Sequence, residues 1–151
     1  MVVSRVRVAT WDDIDIFRVA AKDYANAMNR GCQMIDVDYA STNLIELLMS
    51  SGVVLVCEHN GEKVGLVGAL ATNSPFNPDT RILQEIFWWS DTKYRNVGIG
   101  TLLLESLEAE ATKLGIGNIS MALIDTSPDV EDWLLDRGYS KRESSYLKCG
   151  G

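Results

Sequence analysis

The stretch Tyr94-Arg95-Asn96-Val97-Gly98-Ile99-Gly100-Thr101 stands between a strand-like run, Arg81 to Ser90, and an amphipathic run, Gly100 to Leu114. The first run is dense in aromatic and β-branched residues, which suit a strand. The second places Leu103, Leu104, Leu107, Ala111 and Leu114 on one helical stripe, Glu105, Glu108, Glu110 and Lys113 toward water, and Gly115 as a stop. At a helix start several backbone N–H groups lack partners and lie along a positive dipole, so such a turn holds a pyrophosphate without side-chain charge. Glycines at 98 and 100 let the main chain approach phosphates where a Cβ would collide. A plain glycine turn before a helix accounts for the same residues equally well. A P-loop needs Gly-Lys-Ser/Thr, against Gly100-Thr101-Leu102 here; a dinucleotide fingerprint needs a third glycine where Leu103 stands.

Outward from this unit, the rest of the chain reads as alternating elements. Val3 to Ala9 alternates apolar and polar residues as a half-buried strand does. Thr10 caps a helix with Asp12 and Asp13 in its first turn, followed by Ile14, Phe17, Ala20, Ala21 and Tyr24 at helical spacing. Irregular structure is expected to Asp38, then a helix from Ser41-Thr42. Val53–Glu58 and Lys63–Ala71 form a hairpin around Asn60-Gly61, because both turn residues need positive φ. Residues 73–79 read as a mobile connection, Asn118–Ile124 as a strand, Ser127-Pro128 to Gly138 as a helix and Ser144–Lys148 as a closing strand.

The 151 residues suit one domain, 1–151, with 46% apolar and 23% charged residues. A net charge of −7 disfavours nucleic acid, which calls for clustered Lys and Arg, and attracts cations. There is no run of about 18 apolar residues and no signal-peptide core, so a cytoplasmic protein without membrane contact is expected. Cys32, Cys57 and Cys149 are widely spaced and read as free thiols; His59 is the only histidine, so no zinc site is expected. With His59 in a hairpin turn, a Ser-His-Asp arrangement is disfavoured.

The spacing Arg95-x-x-Gly98-x-Gly100 fits, at every fixed position, the Gln/Arg-x-x-Gly-x-Gly/Ala turn of the GNAT N-acetyltransferase superfamily. The run Glu85 to Arg95 is similar to that family's fourth strand and loop, Leu102-Leu103-Leu104 with Glu108 to its next helix, and Gly138-Tyr139 to its usual Gly-Phe or Gly-Tyr. The resemblance spans residues 3–148 and is specific from 85 to 115. Glu85 to Trp89 and the tail Gly138-Tyr139, Glu143, Tyr146 and Lys148 look most like small acetyltransferases encoded by bacteriophages, which would act in the host cytoplasm.

The resemblance implies an α/β (α+β) acyl-CoA N-acyltransferase fold. Its mixed, mostly antiparallel sheet has splayed parallel central strands and flanking helices. It also implies acetyl-CoA as cofactor, a primary amine of a small molecule or protein as acceptor, and often a homodimer. On this reading Trp88, Trp89 and Ser90 pair by main chain with the pantetheine arm, an N–H near Trp89 polarising the thioester carbonyl. Arg95, Asn96, Val97, Gly98, Ile99, Gly100 and Thr101 cradle the pyrophosphate, and Ser127 offers a hydroxyl to the cofactor. Both tryptophans also read as core residues.

The amine must be a free base, yet a lysine-like group near pKa 10.4 is unprotonated only about once in two to three thousand molecules at neutral pH. Glu85 is the candidate base, since alternation puts Leu83, Glu85, Phe87 and Trp89 on one apolar face. A carboxylate paired with Arg81 is the competing reading. The family's common tyrosine in the last helix is replaced by Leu134, which leaves Tyr146 as the phenol, or a packing residue, and solvent as the other proton source. Asp36 and Asp38 read either as steering an ammonium group or as simply solvated. Two non-catalytic readings stand beside the enzyme: an acyl-CoA-binding module, and a partner-binding protein of the same fold.

Overall fold

The computed structural model describes residues 3–28, 35–123 and 128–150. They fall into two compact units, Met1–Met121 and Ala122–Gly151. The first holds one five-stranded sheet in the order β1 (Ser4–Val8), β2 (Gly52–His59), β3 (Glu62–Ser74), β4 (Asn77–Ser90) and β5 (Asn118–Ser120). Neighbours are antiparallel except β4 and β5, which run parallel over Ile82–Gln84 and Asn118–Ser120 only. Helices α1 (Ile14–Met28), α2 (Val37–Tyr39) and α3 (Ile45–Ser51) lie in the first half of the sequence, and α4 (Ile99–Lys113) precedes β5.

Two cores sandwich the sheet. On one face Ile16, Phe17 and Ala20 of α1 and Ile45 and Leu48 of α3 pack on Val54, Val56, Leu66, Phe87 and Trp89. On the other lies α4, with Ile99, Leu103, Leu104, Leu107 and Ala111 buried. A Cβ on Gly65 would stand 2.7 Å from the Ile99 side chain, so glycine there lets α4 settle closely on β3. At about 25 cal/mol per Å² of apolar surface, these two layers supply the main driving force.

A buried carboxylate locks β1 to the start of the helical layer. Asp13 accepts from both Arg7 Nη atoms at 2.9 and 2.8 Å and from the Thr10 N–H at 2.8 Å, and pairs with Lys63 Nζ at 3.0 Å. The Arg7 guanidinium holds this carboxyl well below the usual carboxylate range.

Several expectations are corrected. The second helical stretch begins at Val37, because Asp36 caps it through its Oδ1 and the Tyr39 N–H at 3.0 Å. Ser41 and Thr42 instead bond back to the Val37 and Asp38 carbonyls, at 2.6 and 2.9 Å, within a π-helical turn, Ala40–Leu44. Residues 73–79 are a hairpin tip: β3 and β4 pair out to Ser74 and Asn77, and the Ser74 hydroxyl accepts the Phe76 N–H at 3.2 Å.

The inward α4 stripe ends at Ala111. Leu114 is exposed, Gly115 turns at φ 71°, and Ile116 is buried instead. Asn60 and Gly61, at φ 51° and 84°, make the tight turn expected of them.

In the second unit α5 (Pro128–Asp136) closes at Gly138, and Arg137 lies 4.8 Å over the Trp133 ring. Residues 144–148 form no strand: they make no ladder and are exposed, and Ser144-Ser145-Tyr146-Leu147-Lys148 has no alternation that would bury one face. Cys57 is free and buried, which pushes its thiol up to about 11, whereas Cys149 is disulfide-bonded rather than a free thiol.

Candidate active site

The register of β4 decides which way its side chains face. Leu66 pairs with Trp89, Val67 with Trp88 and Gly68 with Phe87, but the next residue, Ala69, pairs with Glu85. Ile86 is therefore an extra residue, a β-bulge. Paired residues share a face, so Phe87 and Trp89 point to the α1/α3 layer while Leu83 and Glu85 point to the α4 side. The expected common face of these four residues is overturned by that insertion.

Glu85 is 6% exposed and accepts no hydrogen bond or ion pair among the described residues; Arg81 is not its partner. Burial pushes its carboxyl up to about 8. It stands one residue past Gln84, where pairing with β5 stops.

Beyond Gln84 the outer edge of β4 has no strand beside it among the described residues. The Asp91 N–H donates to the Val64 carbonyl at 2.8 Å, so Asp91 belongs to the β3 ladder. Alternation then turns the main-chain groups of Trp89 toward β3 and those of Trp88 and Ser90 toward the open edge. Trp89 is core on its side chain as well: it is 5% exposed, and its indole donates to Asp23 at 2.9 Å.

Immediately after this edge, Asp91 caps a 3-10 turn, Thr92–Tyr94, by accepting the Lys93 N–H at 3.0 Å. The Tyr94 hydroxyl donates to Glu62 at 2.6 Å, and its ring lies 5.2 Å from that of His59, which fastens the turn to the β2–β3 hairpin. Gly98 is the N-cap of α4 at φ 81°, a left-handed conformation that favours glycine. The Val97 N–H bonds the Tyr94 carbonyl at 3.2 Å, and the Leu102 N–H closes the first helical turn on Gly98 at 3.1 Å. No backbone partner within the turn or helix takes the N–H groups of Gly98, Ile99, Gly100 and Thr101. Arg95, Asn96, Val97 and Gly98 are exposed around them. The Trp88 indole donates to the Gly100 carbonyl at 3.0 Å, fixing the open edge beside the turn.

Other expected residues lie apart from this constellation. Asp36 is engaged as a cap, and Asp38 pairs with Arg18 at 2.7 Å. Tyr146, in the second unit, is 93% exposed on a stretch without helix or strand, so a packing role is overturned. Leu134 is buried in α5, and Ser127 lies outside the described residues. No group of three metal-ligating side chains, and no helix long and apolar enough to cross a membrane, occurs among the described residues.

Sequence reasoning missed Tyr24. Its hydroxyl accepts the Trp88 N–H and donates to the Trp88 carbonyl, both at 3.2 Å. The available signal was its place at the end of an apolar helical stripe, where a half-buried phenol must find a polar partner.

Beyond Gln84 the strand β4, uncovered on its outer edge among the described residues, runs through a glycine turn into the N-terminus of α4. The profile of the acetyltransferase (GNAT) family matches residues 22–132, and the chain belongs to that family. Its fold is shared with ribosomal-protein-alanine N-acetyltransferase from Brucella melitensis biovar Abortus 2308 (TM-score 0.78, 18% identity, 99% of this chain and 100% of that one). A predicted acetyltransferase of Clostridium acetobutylicum with acetyl-CoA is also similar (0.75, 16%, 98% and 96%). So is an aminoglycoside acetyltransferase from an uncultured soil metagenomic sample (0.70, 15%, 99% and 99%). A sequence search of curated proteins finds no match.

Proposed function

We propose that this protein transfers an acetyl group from acetyl-CoA to a primary amine. The observation that carries the proposal is the arrangement of β4: an edge with Trp88 and Ser90 main-chain groups facing outward, running directly into the unpaired N–H groups of Gly98 to Thr101. The acetyl-CoA held by the similar Clostridium acetobutylicum protein supports this choice of cofactor.

Residues of this chain fit that cofactor. The N–H groups at the start of α4 suit a pyrophosphate, with Arg95 exposed beside them. Trp88 and Ser90 offer donor and acceptor groups to an amide-bearing arm. When bound, acetyl-CoA supplies an activated thioester.

Glu85 is the proton acceptor for the amine. Its burial raises the carboxyl toward neutrality, and an ammonium arriving beside it favours the charged form, so the pair exchanges a proton near physiological pH. The net charge of −7 favours the approach of cationic acceptors. Names of similar proteins cover both protein and small-molecule amines, and the acceptor is proposed at that level.

The second reading is a non-catalytic coenzyme A-binding protein, favoured by the apolar Leu134 and by the exposed Tyr146. Thiol release from acetyl-CoA across a panel of amines separates the two. Calorimetry with coenzyme A tests the cofactor itself. Absence of both signals removes the proposal.

A further inference from the structure

The Tyr24 hydroxyl spans the donor and acceptor of one residue on the open edge of β4, and this double contact fits neither core packing nor chemistry already assigned. A phenol that only filled the α1 layer would need one polar partner. Tyr24 instead meets both main-chain groups of Trp88, 3.2 Å from each, on the edge that β5 leaves uncovered. Its neighbour Asp23 holds the Trp89 indole at 2.9 Å, so the last part of α1 is clamped to β4 at two consecutive residues. The Glu85 carboxylate lies close enough to help raise the Tyr24 phenol, though burial is the larger cause. The hydroxyl thus stays protonated, a donor and an acceptor at once.

We infer that Tyr24 is a place-holder on the cofactor groove: its hydroxyl satisfies the Trp88 N–H and carbonyl in the free protein and gives way when a ligand amide takes them. This inference rests on the reading of the edge as a coenzyme A site. The exchange is balanced in hydrogen bonds, because the ligand's amide replaces one hydroxyl that donates once and accepts once. Tyr24 holds both main-chain groups of Trp88 in the free protein, and it lowers the apparent affinity for whatever displaces it. Its ring belongs to the α1 core, so removal of the hydroxyl alone leaves the packing in place.

The test is Tyr24→Phe, titrated with coenzyme A by calorimetry beside the wild type. Amide exchange at Trp88 is followed by NMR in the ligand-free proteins. The variant should bind coenzyme A about three- to tenfold more tightly, since the two hydrogen bonds of the Tyr24 hydroxyl need not be broken. Its Trp88 amide should exchange faster than in the wild type. Binding by the variant alone also supports the place-holder. Equal or weaker affinity in Tyr24→Phe overturns it and leaves the cofactor site standing. No binding by either protein overturns the site and the place-holder together. Should Tyr24→Phe fail to fold, the wild type decides: adding coenzyme A must shift the Tyr24 ring resonances, and unmoved resonances at saturation overturn the inference.

Discussion

The indole Nε1 of Trp88 reaches across 3.0 Å to the carbonyl of Gly100, binding the open strand edge to the first turn of α4. A strand and a helix that must hold two parts of one ligand are thereby fixed at one distance. A Cβ on Gly100 would stand 3.4 Å from that indole, ordinary contact, so the tie tolerates little else between them.

Trp88→Phe removes the donor and keeps an aromatic ring. Coenzyme A affinity should fall about three- to tenfold, the effect of one lost positioning hydrogen bond, with the far-UV spectrum unchanged. Calorimetry reads the first and circular dichroism the second. Wild-type affinity would show that the turn holds its position without this bond.

Gly98 tests the turn itself. A Cβ there meets open space, so the cost of substitution lies in the backbone at φ 81° rather than in a clash. Gly98→Val forces a β-branched residue into a left-handed conformation, at about 1–3 kcal/mol. The helix start should shift, with coenzyme A binding weakened tenfold or more. Gly98→Asn, which tolerates that conformation better, should retain most of the affinity. If a folded Gly98→Val protein binds as the wild type does, the pyrophosphate is not held at this turn.

Glu85→Gln keeps the shape and removes the base. Near neutral pH the rate should drop by about 10²–10⁴-fold. The wild-type rate should rise with pH through about 8, where the carboxyl ionises, and the variant should lack that limb. At high pH, where free amine is plentiful, part of the deficit should return. Normal turnover at pH 7 would make Glu85 structural.

Stability should follow the same group. The folded carboxyl titrates near 8, above its ordinary value of 4.5, so protonated Glu85 favours the fold at low pH. That contribution is complete below about 4.5 and is lost as pH rises through 8. Glu85→Gln should therefore gain on the wild type as pH increases, by an amount on the order of 3–4 kcal/mol at pH 7–8. Denaturant midpoints at pH 5 and pH 8 measure it; equal differences at both would contradict a raised carboxyl.

Asp13 acts in the opposite sense. Its folded pKa is depressed by Arg7, so its contribution is present above the ordinary carboxylate range and fades as pH falls through the folded value. Asp13→Asn leaves Arg7 and Lys63 facing a neutral amide and should cost about 3–5 kcal/mol at pH 7. The loss should shrink in strong acid. A thermal midpoint within a degree of the wild type would mean that Glu58, 2.6 Å from Arg7, suffices.

The glycine turn, the helix after it and the Asn60-Gly61 hairpin were legible because each depends on local conformation or spacing that few residues provide. The bulge at Ile86 was not: Glu85-Ile86-Phe87 contains no glycine or proline, and its extra residue exists only relative to β3. The face assigned to Glu85 was wrong for that reason, while its burial was anticipated. Asp36 is equally informative. Ser41 and Thr42 are good caps by type, but an aspartate five residues earlier took the N–H first and left them to bond backward. Residues 144–148 read as a closing strand, yet a ladder depends on a neighbour that the segment itself cannot reveal.

The extra residue at Ile86 also separates substitution from change of length as routes by which this site can vary. Between Asn77 and Glu85, a residue gained or lost nearer the Pro75-Phe76 tip can be absorbed by the turn, leaving both faces as they are. Loss of Ile86 itself removes the bulge and leaves Glu85 paired with Ala69 on the α4 side, but it brings Glu85 one residue closer along the chain to Trp88 and the cofactor turn. The spacing between Glu85 and Trp88 is thus as much a determinant of this site as the identity of either residue.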